Sequence, residues 1–301
     1  MGGSRRESVA ARIVVDARIV IWNGAESGDP TSGGTFTFTL QVTDSVNAIA
    51  TRQFSLTING GTSTLSANGI VNAASYAGGK VSPGEIVTIF GSFPGPAAVV
   101  SLQFNSQGNV STNLSGMEVS FDGVQAPMVY ALAGQVSCVV PYEVSGESST
   151  QVQVNYQGQL SNSVAEPVAT VVPGVFTINV SGSGQGAIIN QDGTVNSASN
   201  PAALGSTVSV YATGEGQTNP AGVDGSPDAP PLPQPVTQPV TSTVGGAAAT
   251  VTYAGGVSGL VAGLLQVNVQ ILQGISTGNA VPIVLIIGGT TSQANVTVAL
   301  H

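Results

Sequence analysis

One ordered set of strand-like segments occurs twice in this chain. IVTIFGS (86–92) is answered by VSVYATG (208–214), and SFDGVQAPMVYALAG (120–134) by TVGGAAATVTYAGGV (243–257), with Tyr130 opposite Tyr253. QVSCVV (135–140) is answered by QVNVQI (266–271), and QVNYQGQLSN (153–162) by VLIIGGTTSQ (284–293). Ahead of these, VNAASY (71–76) returns as VNSASN (195–200), which reads as the opening of each copy. Similarity kept in order over so long a stretch is the mark of duplication. Whatever fold the first copy takes, the second must take too.

Periodicity says what that fold is. In TQVQVNYQG, Val152, Val154 and Tyr156 alternate with Gln151, Gln153, Asn155 and Gln157. Alternation of period two sends one set of side chains inward and the other to water. EIVTIFGS (85–92), MEVSFDG (117–123), APMVYALA (126–133) and QVSCVVPYEV (135–144) are further strands of the first copy. The expected fold is all-β: two tandem immunoglobulin-like (IPT/TIG-like) β-sandwich modules related by internal duplication, preceded by a partial immunoglobulin-like hairpin. Helix is expected only as short turns.

The expected boundaries follow. Residues 1–29 form an irregular leader, and 30–59 a terminal hairpin whose earlier strands are missing or altered. There Phe36, Phe38, Leu40 and Val42 alternate with Thr37, Thr39 and Gln41, and Phe54, Leu56 and Ile58 with Gln53, Ser55 and Thr57. Residues 60–68 are a polar, Gly-rich linker. Module 1 runs over 69–175 and module 2 over 176–301. Module 2 carries an insertion, GSPDAPPLPQPVTQPV (225–240), expected to be a stiff polyproline surface loop.

Charge narrows the partners. Charged residues are 7% of the chain, against roughly a quarter in a typical soluble protein. The net charge is −9, and past Arg52 the only Lys or Arg is Lys80. Neutralising phosphates takes clustered cations, so nucleic acid and anionic lipid are excluded as partners. No apolar run reaches the ~20 residues of a membrane helix. The start, MGGSRRESVAARIVVDARIVIW, lacks the apolar core of a signal peptide. A truncated start, from a misplaced start codon or a frameshift, is expected to account for that.

The wording of the repeat resembles a known family. VNAASYAGGKVSPGEIVTIFGS, VSFDGVQAPMVYALAGQVSCVVPYEVSG, VYATGEGQTNPAGVDG and YAGGVSGLVAGLLQVNVQI resemble the Solibacter-type uncharacterised C-terminal domain of acidobacterial secreted proteins, over roughly residues 68–300. TFTFTLQVTDS and FSLTI resemble the end of an immunoglobulin-like, cadherin-like repeat of bacterial surface proteins. The resemblance implies a terminal module of a longer exported protein, outside the cell or on its surface. It implies no activity and no functional residues.

The search for chemistry yields no catalytic, cofactor-binding or metal residues. The one histidine, His301, ends the sequence, where a frayed terminus positions an imidazole poorly. The one cysteine, Cys138, reads as a small buried hydrophobe. Glu143 with Glu147, and Glu215 with Asp224, are the carboxylate pairs worth testing for glycosidase chemistry; solvated loop acids are the expected reading. Calcium is the one cofactor the residues suggest. NQDGTVN offers Asn190, Asp192 and Asn196 around a glycine, in what is also an ordinary turn. SGSGQG (181–186) and ATGEGQ (212–217) lack the helix and lysine of a phosphate loop.

Three functions follow. The first is a non-catalytic extracellular module for adhesion, spacing or attachment, its partner a surface protein or polysaccharide. The second is a carbohydrate-binding accessory of a secreted enzyme. For it, exposure of Tyr76, Tyr142 or Phe93 is the discriminating feature, because the single tryptophan, Trp22, lies in the leader. The third, an enzyme, needs converging carboxylates with perturbed pKa values.

Overall fold

The computed structural model describes residues 10–15, 18–22, 34–43, 47–58, 63–235 and 239–301. It divides into two compact units, Met1–Thr62 and Ser63–His301. Among the described residues the fold is all-β, and its one helical element is a single 3-10 turn, Tyr142–Val144. Among the described residues no helix is long and apolar enough to cross a membrane.

The first unit is an antiparallel sheet of β1 (Ala10–Val15), β2 (Arg18–Trp22), β3 (Gly34–Thr43) and β4 (Ile49–Ile58), in the order β2-β1-β3-β4. The leader expected to be irregular therefore supplies two strands. Its RIVV and RIVI runs are β-branched, which suits a pleated surface. Along the β3–β4 hairpin, Phe38 stands opposite Phe54 and Leu40 opposite Arg52. The two phenyl rings stack at 5.6 Å, and the Arg52 guanidinium lies 5.2 Å from the Phe54 centroid. Phe54 and Leu56, expected to face a core, are 37% and 54% exposed. The described residues of this unit form one sheet.

In the second unit, module 1 begins at β5 (Thr64–Asn72), so half of the expected linker is strand. It continues through β6 (Ile86–Ser92), β7 (Val100–Ser101), β8 (Met117–Phe121), β9 (Val124–Gln125), β10 (Met128–Leu132), β11 (Gln135–Val139), β12 (Ser149–Tyr156), β13 (Gln159–Leu160) and β14 (Val164–Pro167). One sheet runs β5-β6-β11-β10-β7. The other runs β13-β12-β8-β9, with β14 also on β12. Val87, Ile89, Val136 and Cys138 from the first meet Val119, Phe121, Val152 and Val154 from the second in one core. Burying such side chains contributes about 1.5–3 kcal/mol each.

Module 2 comprises β15 (Gly174–Val175), β16 (Gly184–Gln185), β17 (Ile188–Ile189), β18 (Thr207–Thr213), β19 (Thr218–Asn219), β20 (Gln234–Pro235), β21 (Val240–Val244), β22 (Ala247–Gly255), β23 (Leu265–Gln270), β24 (Gly278–Ile287), β25 (Thr290–Thr291) and β26 (Val296–Leu300). Its two layers are joined, because β22 pairs with β21 at one end and with β23 at the other. In module 1 the same path is broken into β9 and β10 by Ala126-Pro127. A proline has no N–H for a ladder, and it stands where Thr250 continues β22.

Strand pairing fixes the repeat residue by residue. Val87 and Ile89 face Cys138 and Val136, as Val208 and Val210 face Val269 and Val267. So 86–92 corresponds to 207–213, one residue earlier than the letters suggest. With period two, that residue decides which side chains are core. The opening match shifts further. Ile70 and Val71 pair with Ile89 and Thr88, and Ile188 and Ile189 pair with Val210 and Ser209. VNAASY thus corresponds to INQDGT (189–194), and VNSASN follows six residues later. Both asparagines of the apparent match are fully buried, but in different networks.

Candidate functional site

Two places in the second unit gather polar or aromatic side chains beyond what a core needs. The first is the junction between the modules. Val81 pairs with Val168 as one module ends, and the chain then runs against ATGEGQ. A β-carbon on Gly214 would lie 1.9 Å from the Val172 carbonyl oxygen, and one on Gly216 2.0 Å from that of Thr170. This glycine stretch lets backbone touch backbone. The Asn72 amide donates to Val172 O at 2.9 Å, and its oxygen accepts from the Ala74 and Ser75 N–H groups. Ile86 N–H donates to Thr213 Oγ1, which donates to Gly263 O, both at 2.8 Å.

Tyr142 is buried at this junction. β-Carbons on Gly84 and on Gly222 would each lie within 2.6 Å of its ring atoms. Its N–H donates to Asp224 Oδ1 at 3.0 Å. The insertion is more than a surface loop: Val110 N–H donates to Gly225 O, and Gly256 N–H to Pro233 O. Its residues 236–238 lie outside the described residues. An open cleft of about 220 Å³ lies beneath it, lined by Gly222, Pro227, Asp228, Pro231, Pro233 and Ala262 among others.

Neither predicted carboxylate pair forms as a pair. Asp224 interacts with Glu143, while Glu147 stays exposed. Glu215 turns inward, within electrostatic reach of Glu85 and Asp228, two acids the sequence reading did not single out. Glu85 is fully buried. Its Oε1 accepts from Asn72 Nδ2 at 2.8 Å, and its Oε2 from Ser82 N–H at 2.7 Å. Glu215 Oε2 and Asp228 Oδ2 are buried without a hydrogen-bond partner. Burial pushes Glu85 and Glu215 up to about 8, Asp224 to about 7 and Asp228 to about 6. The same burial, with Glu215, Asp228 and Asp224 nearby, raises the Tyr142 phenol well above its ordinary value. Of these acids only Asp228, 9% exposed, lines the cleft.

The second place is an outward sheet face that occurs once per module. In module 1 it carries Phe90, Tyr130 and Gln135 beside the buried Thr88; in module 2 the equivalent positions hold Tyr211, Tyr253, Gln266 and Ser209. A β-bulge precedes each tyrosine, between Met128 and Tyr130 and between Val251 and Tyr253. The extra residue turns Tyr130 and Tyr253 out of the core. Gln135 Nε2 donates to Tyr130 Oη at 2.7 Å, and Gln266 Nε2 to Asn268 Oδ1 at 2.8 Å. Phe90 is 36% exposed and the other three rings are half-buried. None of the eight positions is charged.

The remaining candidates have structural partners. Cys138 lies in the module 1 core, and burial raises its thiol. His301 is not frayed: its N–H donates to Ala202 O and its carbonyl accepts from Leu204 N–H. Its exposed side chain lines an open cleft of about 490 Å³ with Asp192 and Asn200. Asn196 Nδ2 donates to Asn190 Oδ1, and Asp192 caps Thr194, so these oxygens serve the turn itself. Within SGSGQG, Gly184–Gln185 is a strand beside β26. Tyr142 and Phe93 are buried and Tyr76 is half-buried; the aromatic face lies instead at Phe90, Tyr130, Tyr211 and Tyr253.

The chain matches no protein-family model and no curated protein. Among solved structures it is similar to SGBP-B of the Bacteroides ovatus mixed-linkage glucan utilization locus, in complex with a mixed-linkage heptasaccharide. The identity is 13% and the TM-score 0.29, over 97% of this chain and 60% of that one. The I9–I11 tandem of titin is 10% identical, with a TM-score of 0.23, over 98% of this chain and 89% of that one. Domains 4–9 of the surface layer protein SbsC are 14% identical, with a TM-score of 0.23, over 97% of this chain and 39% of that one. No ligand or role is carried over from any of them.

Proposed function

We propose that this chain is a non-catalytic module of the cell exterior, serving adhesion, spacing or attachment at the C-terminal end of a larger exported protein of the Solibacter-type family. The observation that carries this reading is the junction. Two sandwiches are joined through backbone contacts, Asn72, Thr213 and an insertion bonded to both modules. That is construction for holding a fixed relation between modules. The buried acids have no imidazole beside them, and Asp228 alone lines a cleft. Mass spectrometry of the native protein in surface and culture fractions tests the proposal. A longer exported polypeptide supports it; a cytoplasmic product beginning at Met1 overturns it.

The second reading, a carbohydrate-binding accessory, is favoured by the twin faces. A flat ring offers sugars an apolar surface, and neighbouring amides and hydroxyls offer hydrogen bonds. An uncharged face suits a neutral polysaccharide. Affinity electrophoresis through gels containing neutral β-glucans, xylans or mannans tests it. Retardation lost in Tyr211→Ala supports this reading, and free migration in every gel removes it.

A further inference from the structure

Resting on the carbohydrate reading above, we infer that the polymer is one of pyranoses whose hydroxyls are all equatorial, as in cellulose and xylan, and that Gln135 and Gln266 read those hydroxyls, one on each face.

Strand register puts the same pair on each face. Gln135 stands directly opposite Phe90, and Gln266 directly opposite Tyr211. Residues opposite each other on an antiparallel ladder share a face, with β-carbons about 5 Å apart. All four side chains are partly exposed. Both amide nitrogens are committed within the protein: Gln135 Nε2 donates to Tyr130 Oη at 2.7 Å, and Gln266 Nε2 to Asn268 Oδ1 at 2.8 Å. An amide held by its nitrogen has a fixed orientation, and its oxygen points the other way. The Tyr253 hydroxyl is committed too, donating to Gly256 O at 2.6 Å. The acceptor that both faces hold beside an exposed ring is therefore a glutamine Oε1.

That pair selects by hydroxyl geometry. A pyranose stacks on an aromatic ring through a face of C–H groups, and its equatorial hydroxyls then project sideways from the rim. A rim hydroxyl meets the glutamine across the strands. An axial hydroxyl does not. It points into the aromatic ring and loses its water without a partner, or it points away from the sheet and out of reach of Oε1. Leaving one such polar group unpaired separates two ligands by about tenfold or more. Charge excludes the acidic polymers. None of the face positions is a Lys or Arg, so polyuronates and sulfated chains find no counterion there.

Titration calorimetry of the full chain with cellotetraose and with mannotetraose tests this. The two oligosaccharides differ in one hydroxyl per sugar ring, equatorial in the first and axial in the second. Cellotetraose should bind about tenfold more tightly, or better. Replacing both glutamines, Gln135→Leu with Gln266→Leu, should weaken cellotetraose about tenfold and leave mannotetraose within about twofold, so that the preference collapses. The wild-type comparison stands alone if the variant misfolds. Equal binding of the two, or tighter binding of mannotetraose, overturns the inference and leaves the carbohydrate reading standing. A preference unchanged in the double variant overturns the assignment to the glutamines. Binding of neither overturns the inference, and free migration in the polysaccharide gels as well removes the carbohydrate reading with it.

Discussion

At the scale of single residues, what matters most here is how closely two backbones approach. Gly216 and Gly193 both have positive φ, +79° and +84°. A β-carbon at Gly193 meets nothing within 4 Å, whereas one at Gly216 meets a carbonyl oxygen. Alanine at either position incurs about 1–2 kcal/mol for the left-handed backbone. Only at Gly216 must backbone also move, at about 1–3 kcal/mol more. Denaturant midpoints should therefore place Gly216→Ala well below Gly193→Ala. Equal losses would show that conformation alone matters. Cys138 offers a second check. Its thiol should stay inert to a thiol reagent until the module unfolds, because a buried thiol forms little thiolate. Modification of the folded chain at neutral pH would contradict the core packing. The burial of Cys138 was legible in VSCVV. The burial of Glu85 and Glu215 was not: a charge-poor sequence gives every acid the same polar reading. Their environment is built by contacts such as Asn72–Val172, a hundred positions apart.

At the scale of elements, the duplication reaches down to hydrogen bonds. Ser161 Oγ accepts from Val154 N–H, and Ser292 Oγ accepts from Leu285 N–H, both at 3.0 Å. One residue on, Asn162 bonds the Leu65 backbone and Gln293 the Val175 backbone, each as donor and acceptor. Removing either hydroxyl leaves a buried N–H without its acceptor, a loss of about 1–3 kcal/mol. Ser161→Ala and Ser292→Ala should cost similar amounts in denaturant titrations, and the double variant close to their sum, since the sites share no partners. A negligible cost in one module alone would break the equivalence. The match of QVNYQGQLSN with VLIIGGTTSQ located these hairpins from letters. The match of VNAASY with VNSASN misled, because an Asn beside small residues suits many turns and carries no register. Strand pairing, which follows inward and outward facing, settled it. The same rule explains Tyr130 and Tyr253: a bulge invisible to periodicity turns them out of the core.

At the scale of the molecule, the two copies keep one outward face alike while the opposite face has drifted. Thr88, Phe90, Tyr130 and Gln135 have kept their character in Ser209, Tyr211, Tyr253 and Gln266. On the other sheet, Gln151, Gln153 and Asn155 of β12 have become Pro282, Val284 and Ile286 of β24. Thr88 is buried, but Phe90, Tyr130 and Gln135 are partly exposed, and their likeness to Tyr211, Tyr253 and Gln266 is what a shared task on this face would leave. If that task is binding a neutral polymer, two faces on one folded unit give avidity. Once one face is engaged, the second binds at an effective concentration set by the unit itself. Phe90→Ala or Tyr211→Ala alone should then weaken retention on an immobilised polysaccharide by more than tenfold. The same changes should alter affinity for a short oligosaccharide, which spans one face, by about twofold, the loss of one of two equal sites. Salt should have little effect on either, since no charge lies on the faces to be screened. Retention that falls steeply with salt would assign binding to the acids of this chain instead. Equal losses on polymer and oligosaccharide would mean that the two faces act separately.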